Sequence, residues 1–169
     1  MKTISGWWFT TTKRRLLNDD NRKIVIGKSH KVSGKIIPCE SGLHLSPRII
    51  DALFYAPGPV IYRVVGRGII IPHGRPIDKY VCSERYYVRG GIDVSEILRL
   101  FVLKCALDVI HLWNPPEIVV KYLKTGDESI RAAAGAAAWG AGAAARDAAR
   151  DAALKKFNKR LTVMVSRVL

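Results

Sequence analysis

The chain has 169 residues, 49% of them hydrophobic, with 28 Lys and Arg against 14 Asp and Glu and a formal net charge of +14. That apolar content supports one real core plus an appendage and excludes a largely disordered chain. A field so positive points to phosphate backbones, acidic surfaces or acidic proteins as partners rather than to a neutral substrate.

The opening MKTISGWWFTTTKRR carries no apolar run ahead of its charges, so no secretory leader is expected. Short β-branched or aromatic runs at Trp7 to Thr12, Lys23 to Gly27, Pro59 to Val65, Gly68 to Ile71 and Lys79 to Val88 predict strands. Turn signals at NDDN, VGRG and PHGRP punctuate them. One helix interrupts this half: Ser46 is a suitable N-cap, Pro47 suits the first helical position, and Ile49, Ile50, Leu53 and Phe54 form an apolar face ahead of Pro57-Gly58.

The second half reads as helical. Asp93 with Glu96 three residues on resembles a capping box opening a helix that runs to about Trp113. Glu96, Arg99, Lys104, Asp108 and His111 interrupt its apolar run, which makes it a buried core helix rather than a bilayer span. Asn114-Pro115-Pro116-Glu117 stops it and opens a shorter helix closed by Gly126. An alanine-rich tract of high helix propensity follows, weakened at Gly135, Gly140 and Gly142. Leu154, Phe157, Leu161 and Val165 then stand at helical spacing, with Asp151 one turn from Lys155, and predict a docking stripe against the body or a second copy.

The segment CESGLHLSPRIIDALFYAPG, Cys39 to Gly58, is the most distinctive motif. Read structurally, Gly42 is a turn, Leu43 and Leu45 face a core from a short strand, and Ser46-Pro47 starts the helix. The order Cys39, Gly42-Leu43-His44, Ser46, Ala52-Leu53, Tyr55 and Gly58, with an aromatic W-x-F start and an alanine-rich tail, resembles a group of small phage-encoded proteins. That resemblance spans residues 7 to 103 and the tail, and it implies a viral or prophage origin and a place in the host bacterial cytosol. The segment also resembles the nicotinamide cleft of ADP-ribosyltransferases. That likeness implies NAD as cofactor, His44 and Ser46 touching it, and Glu84 in YVCSERYY stabilising an oxocarbenium-like ribose, although no complete R-S-E or H-Y-E pattern is present.

Other chemistry is sparse. Cys39, Cys82 and Cys105 are far apart with no CxxC, which argues against a zinc knuckle or a disulfide framework and fits a reducing cytosol. The four histidines lack metal-ligand spacing, and GRGIIIPHG lacks the ending of a phosphate-cradling loop, so no metal or resident cofactor is expected. Cys39 and His44 are close in sequence but lack an evident third group.

The positive charge concentrates at Lys13, Arg14, Arg15, Arg22, Lys23, Lys28, Lys31 and Lys35, on what reads as a β-hairpin opposed only by Asp19 and Asp20. Such a ribbon either protects a sheet edge with lysines or contacts phosphates. More follows at Arg63, Arg67, Arg75, Lys79, Arg85 and Arg89, and in the tail at Lys155, Lys156, Lys159 and Arg160. The spread favours phosphate contact over base reading by a recognition helix.

The sequence therefore predicts an α+β fold: a small antiparallel or mixed sheet with one inserted helix, a buried central helix and an alanine-rich helical tail, divided as residues 1–125 and 126–169. Its function is expected to be that of a basic phage-type accessory protein. It would bind nucleic acid or a host ribonucleoprotein and interfere with a bacterial defence complex in the manner of an anti-CRISPR. The rival readings are the NAD-using transferase and a structural protein that assembles through its tail.

Overall fold

The computed structural model describes residues 2–17, 20–141 and 150–169. Its centre is a long antiparallel hairpin of β4 (Val60–His73) and β5 (Lys79–Asp93). Both strands carry the β-branched and aromatic residues that fit a pleated, half-buried surface. The PHGRP turn joins them, with Asp78 N–H donating to His73 O. The expected break at VGRG is instead an irregularity inside β4 between Arg67 and Ile70, where Gly68 takes φ +73°. A bulge keeps the strand continuous while bending it.

β1 (Ile4–Thr10) pairs antiparallel with the other edge of β4, Trp7 opposite Arg63 and Trp8 opposite Tyr62. Two three-residue strands share the far edge of β5: β2 (Ser29–Lys31) opposite Glu84 to Tyr86, and β3 (Leu43–Leu45) opposite Tyr80 to Cys82. The five-stranded sheet is thus wholly antiparallel, and with its helices the fold is α+β. The strand expected at Lys23 to Gly27 is replaced by an irregular segment holding only an isolated bridge between Arg15 and Lys23. The Asn18 and Asp19 of the expected NDDN turn lie outside the described residues.

The inserted helix α1 (Ile49–Phe54) starts later than expected, with Arg48 at its N-cap and no side-chain cap. Ser46 is not the cap because β1 claims it: Trp7 N–H donates to Ser46 O at 2.8 Å, and Ser46 N–H returns a bond to Trp7 O at 3.0 Å. Gly6 permits this approach, since a Cβ there would lie 2.6 Å from Ser46 O. Leu16, Ile24, Leu43, Leu45, Val60, Tyr62, Val64, Cys82 and Tyr87 form the core of the sheet, with Trp8 and Tyr80 packed against them. Each large apolar side chain fully buried there contributes about 1.5–3 kcal/mol.

The chain divides into two compact units, one of residues 1–95 with 162–169 and the other of residues 96–161, so the expected boundary at 125 falls inside the second. The second unit begins with α2 (Ser95–Asp108), which ends before Trp113 and passes into a short 3-10 turn. Ser95 N–H and Oγ both bond Asp93 Oδ1, at 2.9 and 2.6 Å, and so open the helix. α2 is less buried than expected: Phe101 and Leu103 are buried, while Leu100 and Val102 are exposed. Its apolar residues surround the axis, and one helix cannot bury every side. α3 (Glu117–Thr125) ends at Gly126, whose φ of +65° and N–H to Tyr122 O make the left-handed cap its sequence position implies.

The alanine tract forms α4 (Arg131–Ala141), and the chain ends in α5 (Arg150–Ser166). Within the second unit Phe157 meets Phe101 edge-on at 6.0 Å, and Arg160 and Lys156 reach Asp108 at 2.7 and 3.2 Å. Leu161 and Val165 are fully buried in the single chain. Gly142 lies outside the described residues, as do the side chains of Asp151, Leu154 and Lys155. No described helix is long and apolar enough to cross a membrane.

Candidate nucleic-acid interface and cavity

The charge divides unevenly: of the 28 Lys and Arg, 17 lie in the sheet unit, against 7 of the 14 Asp and Glu. Its basic segment, residues 13 to 35, is a loop-rich strip rather than a regular ribbon. Four of the eight expected contact residues are already engaged. Arg14 Nε donates to Gly91 O at 3.0 Å, Arg15 Nη1 to Asn21 O at 2.7 Å, and Arg22 forms a two-pronged pair with Asp20. Lys31 lies 3.4 Å from Glu84. The side chains of Lys13, Lys23, Lys28 and Lys35 are exposed and have no hydrogen bond or ion pair among the described residues.

A second basic feature was not legible as a cluster. Arg63 and Arg89 stand directly opposite each other across β4 and β5. Like charges in that position cost free energy unless something anionic compensates. Burial first, and then the Arg89 charge, push the Arg63 guanidinium below its ordinary value. Arg63 also lies over the Trp7 ring, 4.8 Å from its centroid.

Behind the strip is a cavity of about 650 Å³ in the sheet unit, bordered by Trp7, Phe9, Leu16, His44, Lys79 and Arg85 among others. β5 builds its charged wall. His44 pairs with Val81, so period-2 alternation puts it on the face of Lys79, Val81 and Arg85. Glu84, one residue out of phase, belongs to the opposite face. It accepts from Ser29 Oγ at 2.7 Å and lies 3.6 Å from Arg67, and those contacts with Lys31 hold its carboxyl below the ordinary range. The expected trio is thus divided: His44 and Ser46 border the cavity and Glu84 does not.

Arg85 is only 2% exposed. Its guanidinium lies 3.7 Å from the Trp8 ring centroid, inside an aromatic group in which Trp8, Tyr62 and Tyr87 have centroids 5.6 to 6.0 Å apart. Nε and Nη2 donate to Tyr87 Oη at 3.2 and 3.0 Å, and Nη1 donates to His44 O at 2.6 Å. With the phenol oxygen accepting from Arg85, its own hydrogen is left for His30 Nδ1 at 2.9 Å. His30 is thereby the neutral tautomer, in keeping with a pKa that burial, Arg22 and Arg85 depress.

Lys79 is 9% exposed, with Nζ 4.1 Å above the Tyr55 ring and 3.5 Å from Cys39 Sγ. Tyr55 Oη donates to Asp78 at 2.6 Å, a bond that holds its phenol up at about 12. Cys39, in the left-handed region at φ +70°, also lies 3.7 Å from His73 Nε2. Cys39 thus meets His73 on β4 and Lys79 on β5, and no hydrogen bond joins it to His44 among the described residues. Burial, reinforced by Lys79, Arg85 and His73, pushes His44 down to about 4, so its imidazole is neutral at pH 7.

The sequence reading placed Lys79 and Arg85 in the diffuse basic excess. The available signal was parity, because both share alternation with Val81 and Tyr87, which are fully buried. No family model, curated protein or solved structure gives a significant match to the chain.

Proposed function

We propose that the protein binds nucleic acid through the sheet unit by contacts to phosphates, without reading bases. The observation that carries this is the set of four exposed lysines, Lys13, Lys23, Lys28 and Lys35, in the basic segment, none of which has a hydrogen bond or ion pair among the described residues. An ion-paired arginine gains little by exchanging one anion for another, whereas a solvated lysine gains the counterions released from the polyanion. The opposed Arg63 and Arg89 support the same reading, since a phosphate there would relieve their repulsion. Such a surface would also compete for the nucleic-acid channel of a host defence complex, which is the biological setting we propose for it.

The test is equilibrium binding of a fluorescent duplex and a fluorescent single strand by the parent and by a variant with Lys13, Lys23, Lys28 and Lys35 all changed to glutamine. Each phosphate contact contributes about 0.9 to the log–log salt slope on duplex DNA and about 0.7 on a single strand. The variant should lose about 3 to 4 units of duplex slope. An unchanged slope and affinity in a folded variant would make the strip a solubility device and defeat the proposal.

A further inference from the structure

Three segments of the sheet unit converge on one sulfur. His73 and Lys79 stand directly opposite each other at the turn end of β4 and β5. The loop before β3 brings Cys39 Sγ to 3.7 Å from His73 Nε2 and 3.5 Å from Lys79 Nζ. Lys79 is 9% exposed, and its ammonium is fixed over the Tyr55 ring, whose hydroxyl is tied in turn to Asp78. That ammonium has three hydrogens to donate, and among the described residues its one hydrogen-bond acceptor is the Cys39 sulfur. The sulfur is also exposed and borders the cavity of about 650 Å³ that Lys79 lines. The other two thiols differ. Cys82 is fully buried and donates to Leu43 O at 3.0 Å, and burial pushes both it and the half-buried Cys105 up to about 11, far from the reactive thiolate.

Thiol–disulfide exchange needs access to the attacking sulfur, removal of its proton and a reagent drawn to it. Cys39 has the access. His73 Nε2, when it carries no proton, is placed to take the one on the thiol, and Lys79 Nζ donates to the sulfur left behind. A reagent with a carboxylate near its disulfide meets that ammonium beside the reacting atom, whereas a cationic reagent is repelled by it. Glu40, the neighbouring carboxylate, is exposed, where solvent and salt screen it. Ala52, Tyr55 and Pro57 on the same cavity border leave an apolar surface for the organic remainder of the reagent.

We infer that Cys39 is a thiol–disulfide exchange site for small organic disulfides that carry carboxylates, with oxidised glutathione as the type. The thiol attacks one sulfur of the reagent, and a protein–reagent S–S bond forms as the reagent's own S–S bond breaks. The proton passes through His73 to the departing sulfur, which leaves as a free thiol. The disulfide is itself the oxidant, so the step consumes nothing else, and excess thiol reverses it. The site uses none of the four exposed lysines and stands or falls separately from the surface reading.

The experiment follows the intact mass of the full chain with dithiodipropionate, hydroxyethyl disulfide and cystamine, which are dianionic, neutral and dicationic. Each rate is divided by that of free mercaptoethanol with the same reagent. The order should be anion, neutral, cation, with at least about fivefold between the first two, the factor that one unit charge about 4 Å away supplies even in water. Oxidised glutathione should add once, at Cys39. In about 1 M salt the preference should persist, because a Debye length of about 3 Å removes the general field of the basic surface but not a contact with Lys79. Lys79→Gln should abolish the preference that Lys79→Arg retains, and the fourfold lysine variant should keep it, while His73→Gln should slow all three reagents alike. Because variants of the buried Lys79 can fail to fold, the salt series on the parent protein is the independent readout. Equal normalised rates for the three reagents, a preference that vanishes in high salt, unchanged rates in His73→Gln, or adducts on Cys82 or Cys105 of the folded chain would overturn the inference.

Discussion

Changing His44 to glutamine should remove a specific part of the acid sensitivity of the fold. The ordinary histidine value is 6.5 and burial beside Lys79 and Arg85 lowers it to about 4. A base depressed in the folded state works against folding on the acid side: below 6.5 the unfolded chain takes up a proton that the folded chain refuses. The stability is therefore complete above pH 6.5 and is lost as the pH falls toward 4. At about pH 5 the loss spans about one and a half pH units at 1.36 kcal/mol each, or about 2 kcal/mol, an upper figure because the ring borders a cavity.

Other groups leave this window open. His30 is also depressed, chiefly by burial, and contributes the same sign in parent and variant alike. The depressed carboxylates Asp20, Glu84 and Asp93 start from ordinary values of 3.8 to 4.5 and act at lower pH. Urea unfolding followed by circular dichroism at about pH 7 and about pH 5 gives the comparison. The parent should lose about 1–2 kcal/mol more than the variant. The main-chain bond from Arg85 to His44 O survives the substitution. Equal losses would mean that the ring is solvated and that its neutral state on the cavity border is wrongly assigned.

Three further substitutions test the fold around the site. Ser46→Ala should change stability by less than about 0.5 kcal/mol, against the roughly 1 kcal/mol expected of a lost helix cap, because Ser46 serves β1 through its main chain; a larger drop in Tm would restore a role for its hydroxyl. Gly90→Ala should cost at least about 2 kcal/mol, since Gly90 has φ +125° and a Cβ would meet Ile61 O and Tyr62 Cα; an unchanged denaturation midpoint would contradict this close approach of β5 to β4. Leu161→Ala should cost about 2–5 kcal/mol with no change in mass in solution, because Leu161 is fully buried within one chain. A shift in oligomeric state instead would return the tail stripe to an intermolecular role.

The parts of the fold legible in the sequence are those where local chemistry and tertiary packing agree. The β4–β5 hairpin follows from alternation and from the turn residues of PHGRP, and Gly126 ends α3 because only a left-handed residue closes it. The reading failed where a distant strand took over a residue. Ser46 has every local mark of an N-cap, yet its main chain completes a bridge to Trp7 39 positions earlier. β2 is too short and polar, Ser29-His30-Lys31, to announce itself, and the β-branched residues just before it remain irregular. At the site, the resemblance to a nicotinamide cleft joined His44, Ser46 and Glu84, but only the first two border the cavity, because Glu84 faces the other side of β5. The charged wall of Lys79 and Arg85 required knowing which strand pairs with β3, and that register is set by tertiary contact.

The most direct measurement of the central claim is the affinity of the unmodified protein for a short duplex across a series of salt concentrations. Four lysine contacts predict a log–log slope of about −3.6, steeper if Arg63 and Arg89 also engage phosphate, and nearly the same for unrelated sequences. No binding at low salt, or binding with a slope near zero or restricted to one sequence, would contradict it.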